Sequence, residues 1–315
     1  IEHRVNLEYS GMRLDRFVGK HCRNLSKAAV QKMIRTGRVK LNGKKSQADV
    51  RLCAGDAVRI FMPRTEETQE PKKLNLPPPE ILYEDEFLLA VNKPAGLVIH
   101  PDGKKEDSLS GRIVSYLYEN SKTYGGAFTP GVATRLDTNT SGIVLAPKTP
   151  SAARELAALT RENEISKTYL TLVEGSFPKN KKAVHYASKD TVQNKMLLTE
   201  EPREGAVKMV SAFTPLEEKQ GTTLLSARLI TGRTHQIRAQ LEALGYPVAG
   251  DRKYGCEKFN RELYPYGLTR QFLHCFSVRL PLWYDHSTLK IDCAPPEDLK
   301  GVLQALSFSE ELYMI

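Results

Sequence analysis

The chain has 315 residues, of which 40% are hydrophobic and 26% are charged, and its formal net charge is +9 at neutral pH. This length allows two domains, and the composition is that of an ordinary globular protein. No apolar run approaches membrane-spanning length, and the first residues, IEHRVNLEYS, lack the apolar core of a signal peptide. These features disfavour a membrane protein and an exported protein.

The cysteines form a dispersed set without any Cys-x-x-Cys pair: Cys22, Cys53, Cys256, Cys275 and Cys293. An odd, scattered number argues against a disulfide framework and against a zinc site. A reducing compartment suits such a chain, so we expect a cytoplasmic protein with no metal. We also expect a monomer.

The positive charge is concentrated at one end of the chain. Residues 1–64 contain 15 Lys and Arg against five Asp and Glu, whereas the remaining residues are close to neutral. Such an asymmetry indicates a polyanionic partner. An anionic membrane is the competing partner, but the apolar residues of this segment are needed for a core.

The basic segment has the pattern of a small folded unit. Amphipathic helices are predicted over 13–22 and over 26–37, where Ser26 is the expected cap. Strands are predicted around the Asn42-Gly43 turn and over 56–61. Two short helices followed by strands, with basic residues along the second helix and the turn, resemble the αL motif, an RNA-binding module named for a small-subunit ribosomal protein.

The αL resemblance implies RNA contacts from the second helix and the turn, at Lys27, Arg35 and Lys44. The alternative is a basic, solvated face without any ligand. We expect this domain to occupy residues 1–64. A linker is predicted over 65–79, because TEETQEPKKLNLPPP is too polar to pack and ends in three prolines.

The remaining residues, 80–315, alternate strand and helix patterns without a regular β-α-β repeat. Hairpin signals are common among them, so we predict an α+β domain around a mixed, largely antiparallel sheet. The predicted strands include ILYEDEFLLAV as a pair, IVLA (143–146), KTYLTLVEG (167–175) and SARLITG (226–232). The predicted helices are SLSGRIVSYLYEN (108–120), PSAARELAALTREN (150–163) and RTHQIRAQLEALG (233–245).

Asp137 lies in a tight loop at the start of a buried strand. The small polar residues from Thr138 to Gly142 favour a turn, and the apolar run that follows has no charge. A side chain in such a loop can be directed at a ligand. The simpler interpretation is an Asx-turn aspartate that hydrogen-bonds only its own loop.

Six motifs in a fixed order decide between these interpretations. They are NKPAGLVIHP (92–101), TRLDTNTSG (134–142), SKTYLTLVEG (166–175), TGRTHQIRAQL (231–241), GYPVAGDRKYG (245–255) and FLHC (272–275). Together they resemble the RluA-type family of RNA pseudouridine synthases over essentially the whole chain. The resemblance implies an isomerase that converts uridine in RNA to its C-glycoside isomer. All substrate atoms are retained in this reaction, so neither a cofactor nor a metal is expected.

The resemblance implies three catalytic residues. Asp137 acts as nucleophile or base in a water-poor pocket beside the ribose. Arg238, from the His-Gln-Ile-Arg segment, counters the tendency of a desolvated carboxyl to protonate, and we expect it to bind the carboxylate bidentately. Tyr169 stacks on the uracil and helps to remove the C5 proton. Without the resemblance, a strand tyrosine and an amphipathic helix would be ordinary structural features.

Further residues are expected to contact the substrate. Arg135 would fill the space left by the extracted base, because chemistry on a base requires its removal from the stack. Arg233 would bind phosphate where the predicted helix begins. Thr140, in the Asp137 loop, and His235 complete the predicted set.

One residue departs from the family pattern, since Thr134 stands where the family commonly has His. Arg135, Leu136 and Asp137 are intact, so the predicted activity is unaffected, but the exact target becomes less certain. The expected substrate is large-subunit ribosomal RNA. The alternatives are a synthase acting on transfer RNA or small-subunit ribosomal RNA, and a non-catalytic RNA-binding assembly factor that retained the fold.

Overall fold

The computed structural model describes residues 2–22, 25, 27–61, 76–101, 107–120, 130–190 and 195–313. Ser26, the predicted helix cap, and most of the predicted linker lie outside these residues. The chain divides into two compact units, whose described residues are 2–61 and 76–313. We call them the N-terminal unit and the C-terminal unit. No helix among the described residues is long and apolar enough to cross a membrane.

The N-terminal unit contains two helices and a four-stranded antiparallel sheet. The helices are α1 (Leu14–His21) and α2 (Lys27–Arg35). The strands are β1 (Glu2–Arg4), β2 (Val39–Leu41), β3 (Lys44–Lys45) and β4 (Ala57–Ile60), in the spatial order β1-β4-β2-β3. The predicted apolar face of α1 is buried, and it packs with α2 on the sheet in a single hydrophobic cluster.

The C-terminal unit is built on one ten-stranded sheet. Its strands are β5 (Glu80–Glu84), β6 (Leu88–Lys93), β7 (Ser141–Pro147), β8 (Ser166–Glu174), β9 (Lys181–Asp190), β10 (Lys195–Thr199), β11 (Val207–Lys219), β12 (Thr222–Leu229), β13 (Leu273–Pro281) and β14 (Thr288–Asp292). Its helices are α3 (Leu109–Asn120), α4 (Pro150–Glu162), α5 (Gln236–Ala243), α6 (Glu257–Leu263) and α7 (Glu297–Ala305).

The spatial order of the strands is β10-β9-β11-β12-β8-β13-β7-β6-β5, with β14 paired to β13. Every pair is antiparallel except β13 with β7, so the predicted α+β fold with a mixed, largely antiparallel sheet is confirmed. Strand β7 is buried along its whole length, as its uncharged apolar sequence predicts.

Two hydrophobic clusters cover the two faces of the sheet. Along β8, Tyr169 and Val173 belong to one cluster, and Leu170 and Leu172 belong to the other. Because successive side chains of a strand point to opposite faces, the clusters lie on opposite sides. Helices α4 and α5 contribute to the Tyr169 side, and α6 and α7 contribute to the other.

Helix α5 begins later than the sequence pattern predicts. The predicted start was Arg233, whereas the observed helix starts at Gln236 after His235, whose φ is +55°. The side-chain oxygen of Gln236 accepts hydrogen bonds from the Arg233 N–H (3.0 Å) and the Thr231 hydroxyl (2.8 Å). These bonds fold residues 231–235 into a turn instead of a first helical turn.

Candidate active site

Asp137 occupies a tight turn between a surface segment and β7. Its carbonyl accepts a hydrogen bond from the Thr140 N–H at 3.0 Å, which closes the turn that we call the Asp137 loop, residues 137–140. Its carboxylate is one-quarter exposed and accepts a hydrogen bond from Arg238 Nη1 at 2.7 Å. No described residue of the loop itself bonds to this carboxylate, so the Asx-turn interpretation does not describe it.

Arg238 joins two carboxylates from within the protein. It lies on α5 and is 7% exposed. Its Nε and Nη2 donate to Asp251 Oδ2 (2.6 Å) and Oδ1 (2.9 Å), while Nη1 donates to Asp137. The expectation of a bidentate bond to Asp137 is therefore wrong: the two-pronged contact belongs to Asp251, and Asp137 receives the remaining nitrogen.

Asp251 is the residue that the sequence analysis missed. It is fully buried, and its Oδ1 also accepts the backbone N–H groups of Lys253 (2.8 Å) and Tyr254 (3.0 Å). Burial alone would raise the pKa of Asp251, but Arg238 and the two N–H groups outweigh it and lower that pKa. The sequence did contain a signal for this residue. Asp251 is the acidic residue of the motif GYPVAGDRKYG, which follows the helix that carries Arg238.

The charge of Arg238 is maintained by its partners. Burial alone would lower the pKa of Arg238, but Asp251 and Asp137 together raise that pKa above its usual value. Its guanidinium carbon also lies 5.2 Å from the centre of the Tyr254 ring. A cation with these contacts has a fixed orientation, so Nη1 presents a defined hydrogen bond to Asp137.

Tyr169 lies on β8 and is 4% exposed. It pairs across the sheet with Ala227 of β12 and Cys275 of β13. Burial first, and then the neighbouring Cys275 and Asp137, raise the pKa of Tyr169 well above its usual value. The phenol is therefore neutral at physiological pH. Asp137 is near enough for its negative charge to contribute to the raised pKa of Tyr169.

His235 borders the same group of residues. Its Nδ1 lies 3.1 Å from the Tyr254 hydroxyl, and that hydroxyl accepts the Met196 N–H at 2.8 Å. Burial lowers the pKa of His235, while the nearby Asp137 opposes this shift. His235 and Arg238 are neighbours along the chain, and the fold adds Asp137 to their surroundings.

A buried lysine, Lys93, is hydrogen-bonded to the Asp137 loop. Lys93 is fully buried, and its ammonium donates to the carbonyls of Pro94 (2.8 Å), Leu97 (2.9 Å) and Thr138 (2.8 Å). Burial first, and then the positive charge of Arg270, lower the pKa of Lys93 to about 7. The three carbonyl acceptors match the three N–H bonds of an ammonium group and favour the charged form, whereas burial favours the neutral amine.

The start of β7 is fixed by a buried histidine. His274 Nε2 lies 2.9 Å from the Cys293 carbonyl, and Nδ1 lies 2.9 Å from the Ser141 hydroxyl. Burial lowers the pKa of His274 to about 4, so the ring is neutral. Since a carbonyl only accepts, Nε2 carries the hydrogen and Nδ1 accepts the Ser141 hydroxyl.

Two threonines near Asp137 face the interior. Thr140 is 2% exposed, and its hydroxyl accepts a hydrogen bond from Gln271 at 3.3 Å, so this hydroxyl is engaged within the protein. Thr134 is 4% exposed, and its hydroxyl accepts the Leu145 N–H of β7 at 3.0 Å. Thr134 therefore attaches the segment before Asp137 to the sheet.

The other predicted substrate residues lie on the surface. Arg135 and Arg233 are exposed, and Arg233 contributes backbone bonds to the turn before α5. Lys27, Arg35 and Lys44 are exposed on α2 and β3 of the N-terminal unit. Among the residues that the structure describes, no group of three or more His, Cys, Asp or Glu could hold a metal ion.

Comparison with known proteins gives the family of the chain. The family model described as RNA pseudouridylate synthase matches residues 87–243, and the S4 domain model matches residues 12–58. The chain is 31% identical to the ribosomal large subunit pseudouridine synthase C of Vibrio vulnificus, over 97% of this chain and 96% of that protein. The enzyme of the same name from Escherichia coli K12 is also 31% identical, over 96% of this chain and 95% of that protein.

Solved structures share the fold. Human RNA pseudouridylate synthase domain containing 4 aligns with a TM-score of 0.59 and 21% identity, over 72% of this chain and 93% of that one. Human RNA pseudouridylate synthase domain containing 1 aligns with a TM-score of 0.55 and 23% identity, over 73% of this chain and 95% of that one.

The chain belongs to the family of RNA pseudouridine synthases. It is an isomerase that converts uridine to pseudouridine in RNA, and an RNA-binding S4 domain precedes the region that the synthase family model matches. The family resemblance seen in the six motifs is thereby confirmed.

Proposed function

We propose that Asp137 is the catalytic carboxylate of this pseudouridine synthase and that its substrate is large-subunit ribosomal RNA. The observation that carries the proposal is the partly exposed Asp137 carboxylate, held at 2.7 Å by the buried Arg238. A carboxylate that merely shaped its turn would not need an arginine oriented by a second carboxylate. Such an arrangement stabilises a negative charge at one defined position.

The reaction assigns a role to each residue of this group. The bond between ribose C1′ and uracil N1 breaks, the uracil turns, and C5 bonds to C1′ while its proton is lost and N1 gains one. Asp137 acts as nucleophile or base at this bond. Arg238 orients the carboxylate and stabilises its charge, and the neutral Tyr169 contacts the uracil and assists removal of the C5 proton.

The surface arginines are proposed to hold the RNA around this centre. Arg135 fills the gap that the extracted base leaves, and Arg233 binds a phosphate next to α5. Thr140 is assigned a different role from the predicted one: it is buried against Gln271, so it shapes the Asp137 loop. His235, which is half-buried beside Tyr254, borders the substrate pocket.

One feature supports the large-subunit target, and a second supports RNA binding in general. The relatives at 31% identity carry the name of large-subunit synthases and align over nearly their whole length. The basic N-terminal unit supplies phosphate contacts through Lys27, Arg35 and Lys44, all of which are exposed. Transfer RNA and small-subunit ribosomal RNA are the competing targets, and mapping pseudouridines in cells with and without the protein distinguishes all three.

The catalytic assignment is tested by Asp137→Asn. Asn retains the shape and the loop bonds of Asp but lacks a reactive carboxylate. We expect the variant to fold and to bind RNA as the wild type does, while pseudouridine formation falls by about 10⁴-fold or more. Activity is measured on total RNA from cells that lack the protein.

Asp285→Asn is the matched control. Asp285 is exposed, and its carboxylate accepts the N–H of Ser287 at 2.9 Å, which is the Asx-turn role that Asp137 lacks. Asn makes the same bond, so this variant should keep full activity. Robust pseudouridine formation by Asp137→Asn would remove Asp137 from the mechanism.

A further inference from the structure

Arg270 reaches the Asp137 loop from the residues before β13. Its side chain is 8% exposed, and Nη1 donates to the Asn139 carbonyl at 3.1 Å. Nη2 donates to the hydroxyl of Ser141 at 3.3 Å. Arg270 thus binds both the loop and the first residue of the strand that follows it, although 131 and 129 positions separate it from them along the chain.

The same guanidinium is held by the C-terminal helix. Its Nε and Nη2 donate to Asp298 Oδ2 (2.7 Å) and Oδ1 (3.1 Å), in the two-pronged geometry that orients an arginine most firmly. Asp298 lies in the first turn of α7. Arg270 and Asp298 both lie beyond residues 87–243, where the synthase family model matches.

Two buried cations therefore hold consecutive carbonyls of the Asp137 loop. Lys93 binds the carbonyl of Thr138, and Arg270 binds that of Asn139. Arg270 is near enough to Lys93 to lower the pKa of the lysine. The positive charges of Lys93 and Arg270 repel each other. The Asp298 carboxylate offsets this repulsion because it pairs with Arg270.

We infer that Arg270, held by Asp298 of α7, is a positioning residue that fixes the Asp137 loop for catalysis. This inference rests on the proposed role of Asp137. Asp137 is two residues from the anchored Asn139 carbonyl, so its carboxylate moves when that anchor is lost. A displacement of about 1 Å at a reacting group costs about 100-fold in rate. Arg270 is buried and bound to groups of the protein, so we expect it to make no direct contact with the RNA.

The test compares Arg270→Ala, Asp298→Asn and Glu297→Gln in the full-length chain. Glu297 is the matched control, because it pairs with Lys300 on the same helix and its side chain is 90% exposed. With total RNA from cells that lack the protein, we expect kcat of Arg270→Ala to fall about 100-fold, with KM unchanged. Asp298→Asn should lie between that variant and the wild type, and Glu297→Gln should equal the wild type.

Chemical rescue separates positioning from a general loss of structure. Guanidinium ions, far below denaturing concentrations, should raise kcat of Arg270→Ala, whereas ammonium ions at equal ionic strength should not. If Arg270→Ala does not fold, the test uses Asp298→Asn instead. A positioning role then predicts a lower kcat and an unchanged KM for that variant. Its removed charge leaves the buried Arg270 with a weaker partner in a chain of nearly unchanged shape.

Unchanged kcat in both Arg270→Ala and Asp298→Asn would overturn the inference, as would a rise in KM with unchanged kcat. These outcomes are distinct from failure of the proposed function. If Asp137→Asn is inactive while Arg270→Ala and Asp298→Asn are fully active, only the positioning role fails. If Asp137→Asn is active, the catalytic assignment itself fails, and the positioning role fails with it.

Discussion

Buried charges are the main feature of this protein at the scale of single residues. Arg238, Asp251 and Lys93 are each less than one-tenth exposed. A buried charge is costly unless it is paired or hydrogen-bonded, and each of these is satisfied by side-chain or backbone partners. All three contact Asp137 or its loop directly or through one residue. The protein therefore accepts the desolvation cost at the place where a carboxylate must be oriented.

Lys93 gives a prediction about stability and pH. Its pKa is lowered from 10.5 to about 7 in the folded protein, chiefly by burial. Between these values the unfolded chain binds one more proton at Lys93 than the folded chain does. Unfolding takes up that proton, so raising the pH through this window favours the folded state.

The measurement is the urea unfolding free energy of wild type and Lys93→Met at several pH values from about 7 to 9. The advantage of the wild type over the variant should grow by about 1.4 kcal/mol for each pH unit. Lys258→Met, at an exposed lysine, should show no such trend against the wild type. A constant difference for Lys93→Met would mean that burial does not lower the lysine pKa.

At the scale of secondary structure, the contact between β7 and β13 determines where the Asp137 loop ends. This parallel pair is short, with His274 opposite Ser141 and Cys275 opposite Gly142. Gly142 has a φ of +113°, and a Cβ atom there would lie 2.2 Å from the Cys275 carbonyl oxygen. Only glycine allows the two backbones to approach this closely.

Gly142→Ala should therefore separate β7 from β13. We expect the free energy of unfolding to fall by about 1–3 kcal/mol or more, and activity to fall because the loop loses its fixed end. The control is Gly301→Ala within α7, where no atom lies within 4 Å of the added Cβ. That variant should be more stable by about 0.5–1 kcal/mol, since alanine is the better helix residue. Equal stability of the two variants would contradict this account of the strand contact.

Several elements had no clear signal in the sequence. Strand β11 is the longest described strand, yet it contains Pro215 next to a register shift against β12. Proline ordinarily argues against a central strand, but Pro215 lies beyond Phe213, the last residue of β11 that pairs with β9. Strand β9 begins and ends with charged residues, and only its second half pairs with the edge strand β10. Pattern analysis detects uniformly buried strands such as β7 more readily than these.

At the scale of the whole molecule, the charge is divided between the two units. The N-terminal unit carries the basic excess, and the proposed catalytic residues belong to the C-terminal unit. We expect the first unit to supply non-specific RNA affinity, since phosphate contacts dominate such binding. The preference for particular RNA sequences and the chemistry would then depend on the C-terminal unit.

The combined change of Lys27, Arg35 and Lys44 to Ala tests this division. RNA affinity should fall, and the slope of log K against log salt should decrease by about 0.7 to 0.9 for each lost phosphate contact. The rate at saturating RNA should be unchanged. Arg59→Ala is the control, because Arg59 already pairs with Glu2 at 2.7 Å. An unaltered salt slope in the triple variant would show that these residues do not touch phosphate.

We also expect the isomerisation to need no metal ion. The isomerisation retains every substrate atom, and the described residues contain no group suited to a metal ion. We expect turnover to persist in EDTA, provided that monovalent salt keeps the RNA folded. An activity that EDTA abolishes and that divalent ions restore, with the RNA structure unchanged throughout, would refute it.

The sequence, through its resemblance to a family, predicted the reaction, and its residue types predicted the local setting of Asp137. The loop character of TRLDTNTSG, the buried strand after it and the basic first 64 residues all follow from residue types and near neighbours. Only the tertiary structure decided that Asp251 takes the two-pronged contact of Arg238, and that Arg270 and Asp298 hold the Asp137 loop. The physical reason is distance along the chain. Periodicity reports residues a few positions apart, whereas Arg238 and Asp137 are 101 positions apart and meet only because the sheet brings β7 and α5 together.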